Sequence, residues 1–246
     1  MQYVFLVGGL GSRLGTITQN TPKPLLKIGG IAFLNYLITW AKWAGASEIL
    51  LLSGYRGSDI ERFACDTTSD DCPISIIQEN EQLGTAGSLI NAYDKLAPTF
   101  ILSNGDSWLA FNPNILSKRL VAHSDLSAVM ALRKLEDTSS SGIVRLGEHQ
   151  IISSFEERGG PFEGLINAGV YAINKECLDK YIDLDFPCSI EKEVFPNLVK
   201  DGKTAGIICD GYFIDIGTPE RLNRANADFR AAFHSIIPLT EKQHAG

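Results

Sequence analysis

Carboxylates are missing from the first 47 residues; the first acidic side chain is Glu48. That stretch holds Arg13, Lys23, Lys27 and Lys42, a local charge of +4 in a chain whose net charge is −7, so the remainder carries −11. A cation-only stretch in an acidic protein suits a highly charged anion, and the acidic total argues against general nucleic-acid binding. The cysteines number five (Cys65, Cys72, Cys177, Cys188 and Cys209), with no CxxC pair. An odd set without that spacing argues against a disulfide framework and fits free thiols in a reducing cytoplasm. The four histidines are scattered, so no zinc site is expected. No apolar run reaches the ~20 residues needed to span a bilayer. The chain opens on a strand-like segment with no basic leader and no cleavable apolar core. The expectation is a cytoplasmic protein with neither a membrane nor a nucleic-acid partner; a homo-oligomer is left open.

Two common phosphate loops are also missing. A dinucleotide fingerprint needs Gly-x-Gly-x-x-Gly and an acid about 20 residues later; Gly9 and Gly11 fit, but Leu14 stands third and no acid follows before Glu48. The other loop needs Gly, four residues, then Gly-Lys-Ser/Thr, and no such run occurs. What is present is LVGGLGSRLGTITQNTPKPLL from Leu6 to Leu26. An apolar strand breaks into Gly8, Gly9, Gly11 and Gly15, letting backbone N–H groups approach a polyphosphate. Arg13 and Lys23 add fixed cations, and Pro22 and Pro24 restrict the backbone on both sides of the lysine.

GGLGSRLG followed by TPKPLLKIGG closely resembles the signature of the sugar-1-phosphate nucleotidylyltransferases, with Ser12 where the family usually has Thr. The resemblance runs from Val4 to about Asn223. It implies an NTP and a sugar 1-phosphate as substrates, an NDP-sugar and pyrophosphate as products, and a Rossmann-like fold. Longer members add a left-handed β-helix, and none is expected in these residues.

Along the chain, strand-like segments (Tyr3–Val7, Glu48–Leu52, Ile74–Gln78, Thr99–Ser103) alternate with helical ones (Ala32–Trp43, Ser58–Phe63, Thr85–Leu96). This alternation predicts an α/β fold with a mostly parallel sheet and helices on both faces. Ligands of such sheets bind beyond the carboxyl ends of the strands. The second half is less regular: strands are expected at Leu126–Leu132, Gly142–Arg145, Ile151–Glu156, Ile166–Ile173 and Tyr212–Ile216. Ile190–Lys200 reads as a helix bent at Pro196, and Pro219 as the start of a helix to about Phe233. No linker or repeat divides residues 1–246, so one domain is expected. About 1–110 would form its nucleotide-binding half and about 111–233 its sugar-binding half, with 234–246 as a tail.

The implied reaction brings two anions together, so charge neutralisation and alignment carry catalysis. Arg13 is expected on the leaving pyrophosphate and Lys23 on the α-phosphate or attacking oxygen; solvated surface cations are the alternative. Asp106, in SNGD, resembles the family's metal-binding strand end, or else caps a turn. Asp215, in FIDIGTPE, is an acid in an apolar strand, so it needs a cationic partner; a structural salt bridge is the alternative reading. By resemblance, Asp106 and Asp215 together hold Mg²⁺, whose preference is for oxygen ligands.

The nucleotide site is expected from Leu6, Gly8, Gly9, Gly11, Ser12, Arg13, Glu79, Gly84, Thr85 and Asp106. The run Gln78–Gly87 looks like the family's base-recognition loop. Glu79 could accept the N1–H and N2–H₂ of guanine, which a carboxylate suits and uracil does not, or could be a surface residue that never meets the base. Gly142, Glu157, Arg158 and Asn167 are expected at the sugar. FEERG resembles the family's Glu-Lys-Pro run, with Arg158 in place of Lys and Gly159 in place of Pro. SIEKE, from Ser189, resembles a helix start shared by several guanylyltransferases, and locally reads as a capped helix. SNGDS, SIEKEVFP and YFIDIGTPE are most similar to guanylyltransferases acting on heptose 1-phosphates. Mannose 1-phosphate guanylyltransferases and N-acetylmuramate 1-phosphate uridylyltransferases are the alternatives. A non-catalytic relative would be free to lose one of Arg13, Lys23, Asp106 and Asp215, and all four are present.

Overall fold

Strict alternation of buried residues along the first strand divides the molecule into layers. In the computed structural model, which describes residues 1–139, 141–156, 159–182 and 186–238, β1 is Gln2–Leu6. Tyr3 and Phe5 join one apolar cluster, while Val4 joins another. The chain then runs through a short hairpin, β2 (Lys27–Ile28) and β3 (Ile31–Ala32), into α1 (Phe33–Trp43). There follow β4 (Glu48–Ser53), α2 (Gly57–Thr67), β5 (Ile74–Gln78), α3 (Gly84–Asn91), β6 (Thr99–Asn104), β7 (Ser107–Leu109) and α4 (Asn114–Ala122). The second half contributes β8 (Ala128–Leu135), β9 (Ile143–Leu146), β10 (Ile152–Glu156), β11 (Gly164–Asn174), α5 (Phe195–Lys200), β12 (Thr204–Ile208), β13 (Phe213–Asp215) and α6 (Pro219–His234).

The large sheet orders its strands β10-β9-β11-β6-β1-β4-β5, with β8 paired to β11 and β12 to β8. β5, β4, β1 and β6 are mutually parallel, and β11 lies antiparallel to β6. The parallel, helix-flanked sheet expected from the alternation is therefore present. α1 and α6 cover one face: Tyr36 packs on Phe229 and Phe233, with ring centroids 4.9 Å from each. α3 and α5 cover the other, through Leu89, Phe195 and Leu198.

This topology sets the location of the site. From β1 the chain builds outward to β4 and β5, then returns to lay β6 on the opposite edge of β1. Strand order reverses between β1 and β6, and ligands bind at such switch points, beyond the carboxyl ends of the strands. Leu6 is paired with Asn104 there, so the glycine loop after β1 and the Asn104–Asp106 turn after β6 emerge side by side.

Several expected elements are corrected. The helix expected over Thr85–Leu96 stops at Asn91, and Tyr93–Lys95 forms a separate tighter turn. Pro196 does not bend a continuous helix. Ile190–Val194 makes one wide turn, and α5 begins at Phe195 with the proline in its first turn, where its missing N–H leaves no bond unmade. The strand expected over Tyr212–Ile216 is shorter and pairs with β7 in a separate two-stranded sheet. β7, α4 and β12 were not anticipated. Glu157 and Arg158, and residues 239–246 of the expected tail, lie outside the described residues.

Candidate active site

The glycine loop is shaped by Gly11, whose φ of +65° puts it in the left-handed region that side chains with a β-carbon disfavour. Its carbonyl accepts from Leu14 N–H (2.9 Å) and Thr18 Oγ1 (3.1 Å), which closes the loop and leaves Arg13 exposed at its edge. Lys23 follows Pro22 in a tight turn and is only 8% exposed. Its ammonium meets Asp106 Oδ2 at 2.5 Å. A buried ammonium requires a carboxylate, and this one is delivered by the end of β6.

Asp215 reaches the same place by strand pairing. β13 runs antiparallel to β7, setting Asp215 opposite Ser107, the neighbour of Asp106. Ile216 N–H also donates to the Asp106 carbonyl at 2.9 Å. The cationic partner expected for Asp215 is Arg221, whose Nη1 lies 2.5 Å from Oδ2; Gly217 N–H donates to Oδ1 at 3.0 Å. Gly217 lies at the centre of this cluster. A β-carbon there would stand 2.9 Å from Asp215 Oδ1, 3.2 Å from Arg13 Nη2 and 3.3 Å from Lys23 Nζ. Three residues chosen from sequence, Arg13, Lys23 and Asp215, thus meet around one glycine, and a fourth, Asp106, joins them through Lys23.

Two cavities flank this cluster. One, about 320 Å³, is lined by Leu6, Gly8, Gly9, Glu79, Gly84 and Thr85 among others. The other, about 450 Å³, includes Arg13, Gly142, Asn167, Lys192, Asp215 and Arg221. Asn104, Asp106 and Glu191 line both. Gly11 and Ser12 line neither cavity: they belong to the loop beside them. Asn167 is held by donating to Tyr171 Oη (2.6 Å) and accepting from Gly169 N–H (2.9 Å).

Glu79 faces the smaller cavity from the end of β5. Ser88 Oγ donates to its Oε2 at 2.7 Å. Burial is the dominant influence on its carboxyl and raises its pKa, against the opposing hydrogen bonds of Ser88 and Leu83. A β-carbon on Gly8 would lie 3.2 Å from Glu79 Oε1, so the first loop glycine makes room for this side chain.

Glu191 ties the two cavities together and was not singled out from sequence as a site residue. Its Oε2 accepts from Thr85 Oγ1 (2.8 Å) and Ser189 Oγ (2.9 Å). Cys188 C=O accepts from Ala86 and Gly87 N–H at 2.9 and 3.1 Å. A β-carbon on Gly84, at φ +77°, would lie 2.5 Å from that carbonyl. The start of α3 is thereby strapped to the turn that carries Glu191 and Lys192. Ser189 caps that turn, accepting from Glu191 and Lys192 N–H, as its local sequence suggested. Asn104 and Arg221 were also missed as site residues; SNGD contained the first, while Arg221 had no signal beyond lying six residues past Asp215.

The chain resembles known proteins over most of its length. The nucleotidyl transferase family matches residues 2–232. A probable mannose-1-phosphate guanylyltransferase of Oryza sativa subsp. japonica is 34% identical over 230 residues, covering 89% of this chain and 62% of the relative. The chain thus spans less than two thirds of that longer protein. A D-glycero-alpha-D-manno-heptose 1-phosphate guanylyltransferase of Campylobacter jejuni is 32% identical over 220 residues, covering 89% of this chain and 96% of the relative. Among solved structures, HddC from Yersinia pseudotuberculosis superposes with a TM-score of 0.81 at 28% identity, over 93% of this chain and 99% of that one. The same protein complexed with GMP-PN gives 0.78 at 27% identity, with the same coverage.

Proposed function

The chain belongs to the nucleotidyl transferase family, and from that premise we propose that it joins GTP to D-glycero-α-D-manno-heptose 1-phosphate, releasing pyrophosphate and GDP-heptose. The observation that carries the reading is the meeting of Arg13, Lys23 and Asp215 around Gly217, with Asp106 joined to them through Lys23, between cavities that share Asn104, Asp106 and Glu191. Support for the substrates comes from the heptose 1-phosphate guanylyltransferases that this chain resembles over nearly their whole length and from the GMP-PN complex of a structural neighbour.

The sugar phosphate oxygen attacks the α-phosphorus of GTP, and the bond to the β-phosphate oxygen breaks. Neither step needs a protein nucleophile. The base and ribose would occupy the smaller cavity, with Glu79 accepting from guanine N1–H and N2–H₂. The sugar would occupy the larger cavity against Gly142 and Asn167. Arg13 would neutralise the departing pyrophosphate beside the glycine loop, and Lys23 would hold charge that develops on the α-phosphate. Fixed cations around a transferring phosphoryl group are among the largest contributions to such reactions.

Asp106 and Asp215 supply hard oxygen donors from two different elements to one cluster, a donor set that fits Mg²⁺ completed by phosphate oxygens and water. When bound there, Mg²⁺ would supply Lewis-acid neutralisation of phosphate charge. Lys23 and Arg221 each pair with one of these carboxylates, which fixes where the two side chains point.

Pyrophosphate release, measured over four nucleoside triphosphates crossed with heptose, mannose, glucose and N-acetylmuramate 1-phosphates, tests the reading. Greatest release with GTP and the heptose is expected. Release in no combination would remove the catalytic reading and favour a nucleotide-sugar-binding protein.

A further inference from the structure

A third cavity, about 260 Å³, adjoins the larger one along a wall common to both: Ser141, Phe213, Asp215 and Arg221 line each. Beyond that wall lie Arg133, Asp137, Tyr212 and Arg224. None of these four takes part in the reaction derived above.

Three guanidiniums suggest an anion site, but their charges are already matched. Arg133 Nη1 lies 3.5 Å from Asp210 Oδ1, Arg221 Nη1 lies 2.5 Å from Asp215 Oδ2, and Arg224 Nε lies 3.5 Å from Asp228 Oδ2. Asp137 adds a further carboxylate; it accepts from the N–H (2.9 Å) and hydroxyl (2.6 Å) of Ser139, bonds that lower its pKa. Only Asp137 and Asp215 line the annex beside the three guanidiniums, but with Asp210 and Asp228 paired to two of them the four aspartates outnumber the three arginines, so an entering anion finds no excess of positive charge. A neutral polyol meets no such repulsion and finds both kinds of partner. Each guanidinium carries five N–H donors, so a single 3.5 Å contact leaves Arg133 and Arg224 with donors to offer, while Asp137 and the Ser141 hydroxyl can accept. Tyr212, whose ring centroid lies 5.7 Å from the Arg224 guanidinium, adds apolar carbon atoms to the annex wall.

We propose that this annex receives the exocyclic diol arm of a sugar 1-phosphate longer than a hexose, with Arg133 and Arg224 as specificity-determining residues. The inference rests on the sugar-1-phosphate reading above and adds a physical reason for taking a seven-carbon sugar over its six-carbon counterpart. With the ring against Gly142, only a substituent extending past the adjacent Ser141 enters the annex. Sites that bury their hydrogen-bonding groups against a substrate hydroxyl discriminate very strongly. Here the side chains of Arg133 and Arg224 are 25% and 60% exposed, so water replaces the missing hydroxyl and the discrimination is modest, on the order of tenfold.

The test compares kcat/KM for GTP-dependent pyrophosphate release with D-glycero-α-D-manno-heptose 1-phosphate and α-D-mannose 1-phosphate. It uses the wild-type protein, Arg133→Met, Arg224→Met and the double variant, with calorimetric dissociation constants and thermal midpoints alongside. The expected result is a wild-type preference for the heptose that shrinks in each single variant and vanishes in the double variant. Mannose 1-phosphate turnover and the thermal midpoint should hold. Equal losses for both sugars, or an unchanged ratio, would overturn the proposal. So would α-D-mannose 1,6-bisphosphate binding more tightly than mannose 1-phosphate in an Arg133- and Arg224-dependent way, because the annex would then be an anion site. Absence of pyrophosphate from both sugars would overturn the activity instead. The calorimetric preference for the heptose, present or absent, would still decide the annex.

Discussion

Lys23 and Asp106, 83 residues apart in the chain, meet at 2.5 Å where β1 and β6 release their loops. The pair joins the glycine-loop side of the cluster to its carboxylate side, and Lys23 is buried while making it. A methionine keeps most of the length of the side chain and removes the charge. Lys23→Met is expected to lower kcat for pyrophosphate release by about 100-fold or more, with the circular dichroism spectrum unchanged. Turnover within a few-fold of wild type in a folded variant would take Lys23 out of the reaction.

The two carboxylates should separate from their counter-ions in their effects. Asp106→Asn and Asp215→Asn each remove one charged oxygen donor, the one that meets Lys23 or Arg221. Calorimetry of Mg²⁺ binding in the presence of GTP is expected to show affinity at least about tenfold weaker in each variant. Wild-type Mg²⁺ affinity in either one would assign that aspartate to a structural salt bridge.

Glu79 gives a pH dependence with a definite sign. Its carboxyl must be ionised to accept from guanine, and burial raises its pKa. GTP affinity should therefore fall as pH drops through that raised value, at a higher pH than an ordinary glutamate would require. The same shift has the opposite consequence for stability. A raised carboxyl pKa means that the ionised form is disfavoured in the folded state, a cost that disappears as pH falls below the unfolded value. Glu79→Gln should accordingly keep or slightly raise the thermal midpoint at neutral pH while losing preference for GTP over UTP. Unaltered nucleotide preference would mean that the carboxylate does not read the base.

Gly217 is constrained by space. A methyl group there would stand 2.9 Å from Asp215 Oδ1 and close to Arg13 and Lys23, at a distance that forces at least one of them to move. Gly217→Ala is expected to cost about tenfold or more in turnover, with little change in thermal midpoint because the displaced groups are polar and near the cavity. Full activity would show that the cluster tolerates the displacement.

The parts legible in sequence were those where one local signal sufficed. The glycine loop, the proline-framed Lys23, the strand-end Asp106 and the need of Asp215 for a cation could each be read from a few neighbouring residues. Convergence on Gly217 could not, because it depends on β13 pairing with β7, and the three residues of β7 are too few to show a period. β12 was hidden for a related reason: Gly206 interrupts its apolar run. In the fold that glycine admits the Leu132 side chain, whose Cδ1 would lie 2.5 Å from a β-carbon. Glu191 read as part of a helix cap. That it also borders both cavities follows from the strap between Cys188 and the start of α3, a contact across roughly a hundred residues of chain that no periodicity encodes.

The central claim is that the sugar phosphate itself attacks the α-phosphorus of GTP. It is tested most directly by supplying heptose 1-phosphate labelled with ¹⁸O in its non-bridging phosphate oxygens and weighing both products by mass spectrometry. All of the label is expected in GDP-heptose, with one labelled oxygen bridging the two phosphorus atoms, and none in pyrophosphate. Label in the inorganic product, or formation of orthophosphate and GDP without a sugar nucleotide, would contradict the account.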